Sequence, residues 1–185
     1  MPKGLKQTSQ QIVISFDASQ TNPNDVVSER IDLQLNALDN EVFVITGCKL
    51  DVSPPDFTIS GTPGVTSRFR CQASLSKQDI SASALGTGLG NPSVFASQDI
   101  EIHTAVNGTA PESLAAGVST VASDHTDAPF EVEYLDIIAT PDFYINFRSV
   151  NQTNAQGVEG KLYGYRARAD ASIYASLVQS ELLSQ

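Results

Sequence analysis

The segment Asp142-Phe143-Tyr144-Ile145-Asn146-Phe147-Arg148-Ser149-Val150 alternates bulky apolar residues with polar ones. Successive side chains of a strand point to opposite faces. Phe143, Ile145 and Phe147 therefore face a core while Asn146 and Arg148 turn away. The same beat places Ile12, Ile14 and Phe16 on one face of Gln11 to Phe16, and Ile31, Leu33 and Leu35 on one face of Glu29 to Leu35. It returns in Arg68 to Leu75 (Phe69, Cys71, Ala73, Leu75), Asp99 to Val106, Phe130 to Ile138 and Val158 to Ala169. Glu41 to Val52 differs. Its first half is apolar on both faces, which suits a strand in the middle of a sheet, and Pro54-Pro55 ends it because proline cannot donate to a ladder. About eight strands are too many for one open, half-buried sheet and match two packed sheets. The expected class is all-β, an antiparallel sandwich.

Two stretches leave the beat. Thr109-Ala110-Pro111-Glu112 offers a cap, an early proline and a glutamate three residues after the threonine, which predicts a short helix over 111–121 despite Gly117. Ala171 to Leu183 has no Gly or Pro and carries Ile173, Tyr174, Leu177, Val178 and Leu182 at helical spacing. It reads as a C-terminal helix, with continued strand as the competing reading. Residues 1–10, with Gly4 and a polar run from Gln7, read as a flexible N-terminal arm ahead of a single sandwich domain over 11–185. A chain of 185 residues can bury roughly 70% of its unfolded surface, so no disulfide framework or metal is needed to hold a core.

The chain carries 11 basic and 21 acidic residues, a net charge of -10, which argues against nucleic-acid binding by simple electrostatics. Only 17% of its residues are charged; Ser, Thr, Asn and Gln supply the polarity. Such charge-poor surface is common in secreted proteins and in subunits that pack against their own copies. No apolar run approaches the ~20 residues of a membrane helix. Met1-Pro2-Lys3-Gly4-Leu5-Lys6 lacks a secretory apolar stretch, which points to synthesis in a cytoplasm or to release from a precursor. Asn107-Gly108-Thr109 and Asn151-Gln152-Thr153 then read as turns rather than glycosylation sites.

If the strands around Cys48 and Cys71 form a hairpin turning at Ser60-Gly61, the two cysteines become cross-strand neighbours facing one core. They are then either two buried thiols acting as small hydrophobes or a disulfide.

No motif announces catalysis. Asp124-His125-Thr126-Asp127, with His103 as a further ligand, has metal-binding residue types but reads as a loop. Gly86-Thr87-Gly88-Leu89-Gly90 lacks the spacing and the Lys-Ser/Thr of a phosphate-cradling loop. Glu131 with Glu133, and Asp136 with Asp142, read as solvated faces rather than an acid–base pair. There is no G-x-S-x-G, and neither histidine suggests a triad. The chain is therefore read as a non-enzyme without cofactor or metal.

Arg68/Arg70 and Arg166/Arg168 occupy alternate positions, so each pair projects from one strand face opposite the core residues. Guanidinium favours planar pairing with carboxylate, which suggests ion pairs between subunits; a solvated strand face is the plainer alternative. Tyr163 and Tyr165 also share a face and are the aromatic pair best suited to a ligand.

The strand series, the Ser/Thr/Gly/Asn-rich loops, the arm and the low charge together resemble viral jelly-roll capsid subunits or capsid-decorating proteins. The late strands Phe143 to Val150 and Lys161-Leu162-Tyr163-Gly164-Tyr165-Arg166-Ala167-Arg168, with the segment after them, carry the likeness. The resemblance implies a jelly roll that acts in the virion after synthesis in the host cytoplasm. It implies assembly as a homo-oligomer (trimer or pentamer), with other capsid proteins as further partners and no membrane. The arm holds just Lys3 and Lys6, which fits a shell or surface role without direct genome contact. The alternative is a carbohydrate-binding or adhesive β-sandwich.

Overall fold

The alternating segments become ten strands in the computed structural model, which describes residues 4–59, 62, 64–81, 88–107, 115–126 and 133–183. They are β1 (Leu5–Gln7), β2 (Ile12–Ser19), β3 (Val26–Asp32), β4 (Glu41–Val52), β5 (Thr66–Ser76), β6 (Val94–Asn107), β7 (Ala115–His125), β8 (Asp136–Ile138), β9 (Asp142–Val150) and β10 (Gly157–Ala169). One helix, α1 (Ala171–Leu183), follows. Between β3 and β4 the chain makes a short 3-10 turn at Ala37–Asp39, whose first amides Asn36 caps by accepting from Leu38 N.

All pairings are antiparallel, and four of them are nested. Strand β2 pairs with β10, β3 with β9, β4 with β8 and β5 with β6, as though one long hairpin had been rolled up. The further pairings β10–β4 and β9–β5 join these ribbons into two sheets. The first sheet runs β2-β10-β4-β8, with β1 also on β10; the second runs β3-β9-β5-β6-β7. This is a jelly-roll sandwich. Eight strands make the roll, and β1 and β7 add to its margins.

The facing surfaces enclose the main core. Phe16, Phe43, Ile45 and Leu162 come from the first sheet, and Cys71, Leu75, Phe143, Ile145 and Phe147 from the second. Phe143 meets Phe16 edge-on, with ring centroids 5.7 Å apart at 79°. The first half of β4 is apolar on both faces because α1 covers the outer one. Val42, Val44, Ala167 and Ala169 pack there against Ile173, Tyr174, Leu177 and Val178. The helix is pinned further by Glu181, its one buried residue, whose two carboxylate oxygens accept from Ala139 N and Thr140 N at 2.9 Å each.

Several expectations change. Residues 5–7 of the expected arm form β1, pairing Leu5 with Ala169. The helix expected at 111–121 is strand from Ala115 onward, laddered to β6 along its whole length. Val118, Thr120 and Val121 favour strand, and the ladder satisfies amides that an exposed short helix would leave to water. The Thr109–Glu112 start lies outside the described residues, as do Ser60-Gly61, Gly86-Thr87, Asp127 and Glu131. The hairpin joining Cys48 to Cys71 does not form, because β4 and β5 belong to opposite sheets. The two cysteines do reach the same core, from its two sides. Both are thiols; Cys48 Sγ donates to Thr126 O at 3.3 Å, and burial pushes the Cys71 thiol up to about 12.

Two glycines of β10 decide how closely the aromatic core approaches the sheet. A Cβ at Gly160 would run into the Phe16 ring and Lys49 O, and one at Gly164 into the Phe43 ring and Val44 O. We expect Gly164→Ala to lower the unfolding free energy by about 1–3 kcal/mol, the usual cost of overpacking, read from urea unfolding midpoints. Glu181→Ala strips two buried amides of their acceptor. It should cost about 1–3 kcal/mol and expose α1 to proteolysis before the sandwich.

Candidate functional site

Each arginine stripe finds partners on its own chain. On the outer face of the second sheet, Arg68 and Arg70 of β5 stand across from His103 and Glu101 of β6. The ion pairs run diagonally: Arg68 to Glu101, and Arg70 to Asp99, whose two oxygens accept from Arg70 Nε at 2.9 Å each. His103 Nε2 lies 2.5 Å from Glu101 Oε1. The diagonal is within reach because same-face residues on neighbouring strands sit close together. The hydrogen bond from Arg68, aided by the surrounding positive charge, holds the Glu101 carboxyl below its ordinary range. The bond to Asp99 raises Arg70 in turn.

Arg166 and Arg168 lie opposite the core residues Ala167 and Ala169, but on the same face of β10 as Leu162 of the main core. They stand at the end of the sandwich. Arg166 Nη2 donates to Leu33 O at 3.0 Å, and Arg168 Nη2 bonds Asp39 Oδ1 at 2.6 Å in an exposed pair. Asp136 is paired with Lys77, and Asp142 with Arg30. Asp124 and His125 are strand residues of β7 on opposite faces, so they do not converge. Among the described residues, no group of three or more His, Cys, Asp and Glu could hold a metal. No helix among them is long and apolar enough to cross a membrane.

The two tyrosines share the outer face of the first sheet, as their spacing requires, but α1 separates their roles. Tyr165 packs under the helix, and burial raises its hydroxyl pKa. Tyr163 lies beyond the helix and lines an open groove of about 570 Å³ across β2, β10 and β4. Strand register sorts that groove into rows. Asp17, Glu159 and Asp51 form one row, Ser15, Lys161 and Lys49 the next, and Val13, Tyr163 and Gly47 a third. All five charged residues are exposed. Among the described residues, no ion pair joins either lysine to a carboxylate. Alternate charges at Glu159/Lys161 and Lys49/Asp51 are visible in the sequence, but only register assembles them into rows.

Among the described residues, the outer edge of β7 has no partner strand. Strand β7 ends the second sheet, pairing with β6 on one side. From Ala115 to Ser123 it carries no charge and no proline, and Val118 and Val121 are 47% and 58% exposed. No family model and no curated protein matches the chain.

The Arg68–Glu101 contact yields a signed expectation. A carboxyl depressed in the folded state adds stability above its unfolded value, and that contribution is lost as pH falls through the folded value. Glu101→Gln should therefore be less stable than the parent at neutral pH, and the gap should close between about pH 5 and pH 3. Urea midpoints across that range measure it.

Proposed function

We propose that this chain is a structural virion protein, a self-assembling capsid or capsid-decoration subunit that works through subunit–subunit contacts. The observation carrying this reading is the open edge of β7. An edge strand presents a row of unpaired amides and carbonyls to any strand that arrives. Proteins that stay apart blunt such edges with lysine, proline, bulges or brevity. Strand β7 is 11 residues long and uses neither of those residues. It suits pairing with a second copy or with another shell protein.

The jelly roll itself serves viral shells, among other uses, so the architecture is compatible with the reading without deciding it. Interfaces of ~800 Å² per partner, repeated in a closed symmetric assembly, act together, so individually weak contacts suffice. The net charge of -10 suits a shell or surface position away from the genome. Such a subunit is made in the host cytoplasm and acts in the virion, as a trimer or pentamer and alongside other capsid proteins.

A second reading, a carbohydrate-binding or adhesive sandwich, draws on Tyr163, an aromatic lining an open groove beside five charged side chains.

Solution mass and negative-stain images across concentration test the assembly reading. Trimers, pentamers or closed shells are expected. A Val118→Lys/Val121→Lys variant should keep its circular dichroism and thermal midpoint while assembling about tenfold more weakly. A parent protein that stays monomeric at every concentration overturns the proposal.

A further inference from the structure

The groove on the first sheet has a symmetry that its residues alone do not suggest. Rows of side chains cross β2, β10 and β4 at intervals of roughly 6.6–6.8 Å, two residues of strand. Along β10 the outward residues run Gly157, Glu159, Lys161, Tyr163. The acidic row of Asp17, Glu159 and Asp51 therefore abuts the row of Ser15, Lys161 and Lys49. Outside the acidic row stand Ser19, Gly157 and Ser53, all small; Ser53 N donates to Gly157 O at 3.0 Å. Outside the basic row stand Val13 and Tyr163, both bulky, beside Gly47.

A two-fold axis lying in the face, between the acidic and basic rows and parallel to them, turns this pattern onto itself. Each strand then faces its own counterpart. Glu159 meets Lys161 of the second copy, Asp51 meets Lys49, and Asp17 meets the Ser15 hydroxyl, with every contact repeated by symmetry. The same rotation brings the bulky Val13 and Tyr163 over the small Ser19 and Gly157. Charge and volume are thus complementary about one axis, the requirement for an isologous contact between identical subunits. Helix α1 roofs the rest of this sheet face and leaves these rows open.

We infer that this open half of the first sheet is a two-fold contact onto a second copy of the same chain. The inference rests on the assembly reading above and names one of its surfaces. Four rows on three strands span on the order of 300 Å² from the strand spacings, well short of the ~800 Å² per partner of a stable lone interface. The contact therefore works together with others in a larger assembly, where multivalency adds weak contacts.

Charge reversal with rescue tests it, at a fixed ionic strength of about 0.15 M so that distant charges are screened. Lys49→Glu/Lys161→Glu should assemble about tenfold more weakly than the parent by sedimentation, and so should Asp51→Lys/Glu159→Lys. Mixed in equal amounts, the two variants should regain the parent's assembly, because each supplies the charge the other lacks. That rescue cannot come from misfolded protein. If either variant assembles like the parent, or the mixture fails to recover, the groove is not the contact while the assembly reading stands. A monomeric parent removes both. Glycan-array binding lost in Tyr163→Ala, with assembly mass unchanged, assigns the groove to a sugar and overturns the inference.

Discussion

Strand β10 is hydrogen-bonded along both of its edges, to β1 and β2 on one side and to β4 on the other. Much of the molecule depends on how closely its neighbours can approach it. The inward face of β10 has only hydrogen at 160 and 164, so the rings of Phe16 and Phe43 settle against the sheet. Phe16 in turn meets Phe143 of the opposite sheet edge-on. Two glycines thereby set the separation at which the sheets close. Interiors pack nearly as densely as organic crystals, so an added methyl there would force the facing sheet outward rather than fill a gap.

The outward face of the same strand is divided between two environments. Ala167 and Ala169 are small enough for α1 to lie on them, and Tyr165 packs beside the helix. Two residues back, Tyr163 faces open space, followed by Lys161 and Glu159. The helix starts directly after β10, so its reach along the sheet is set by its length and by the carboxylate of Glu181 gripping Ala139 and Thr140. What remains uncovered is the groove. The open groove and the buried second core are two halves of one surface.

The two sheets handle charge differently. On the second sheet, Arg68, Arg70, Asp99, Glu101 and His103 pair with one another on β5 and β6. On the first sheet the charges lie in separate rows of one sign, and neither lysine finds a carboxylate among the described residues. On the second sheet the diagonal neighbours of opposite sign meet. On the first, Glu159 with Lys49 and Lys161 with Asp51 are also diagonal neighbours but form no ion pair among the described residues, which leaves their attraction available to something else. That difference moves the best candidate for a subunit contact from the arginines, the most conspicuous basic residues in the sequence, to the lysines.

Alternation along the chain determined where most strands run, and apolar residues on both faces of Glu41 to Val52 determined that β4 is central and covered. Helical spacing after Ala171 was equally legible. The Ala-rich stretch after Thr109 misled, because helix propensity is weak beside the ladder that β6 offers to β7 from Ala115 onward. Partnership was not legible. A period of two says which residues share a face, but not which strand lies alongside or in what register, since many pairings bury the same apolar set. Only the rolled, nested pairing sent β4 and β5 to opposite sheets, turned Arg166 and Arg168 to the inner face at the end of the sandwich, and set Asp17, Glu159 and Asp51 in one row. The sequence alone thus determined an all-β chain with a final helix. Tertiary structure decided its surfaces, because a row of charges across three strands exists only once residues far apart in the chain have been brought side by side.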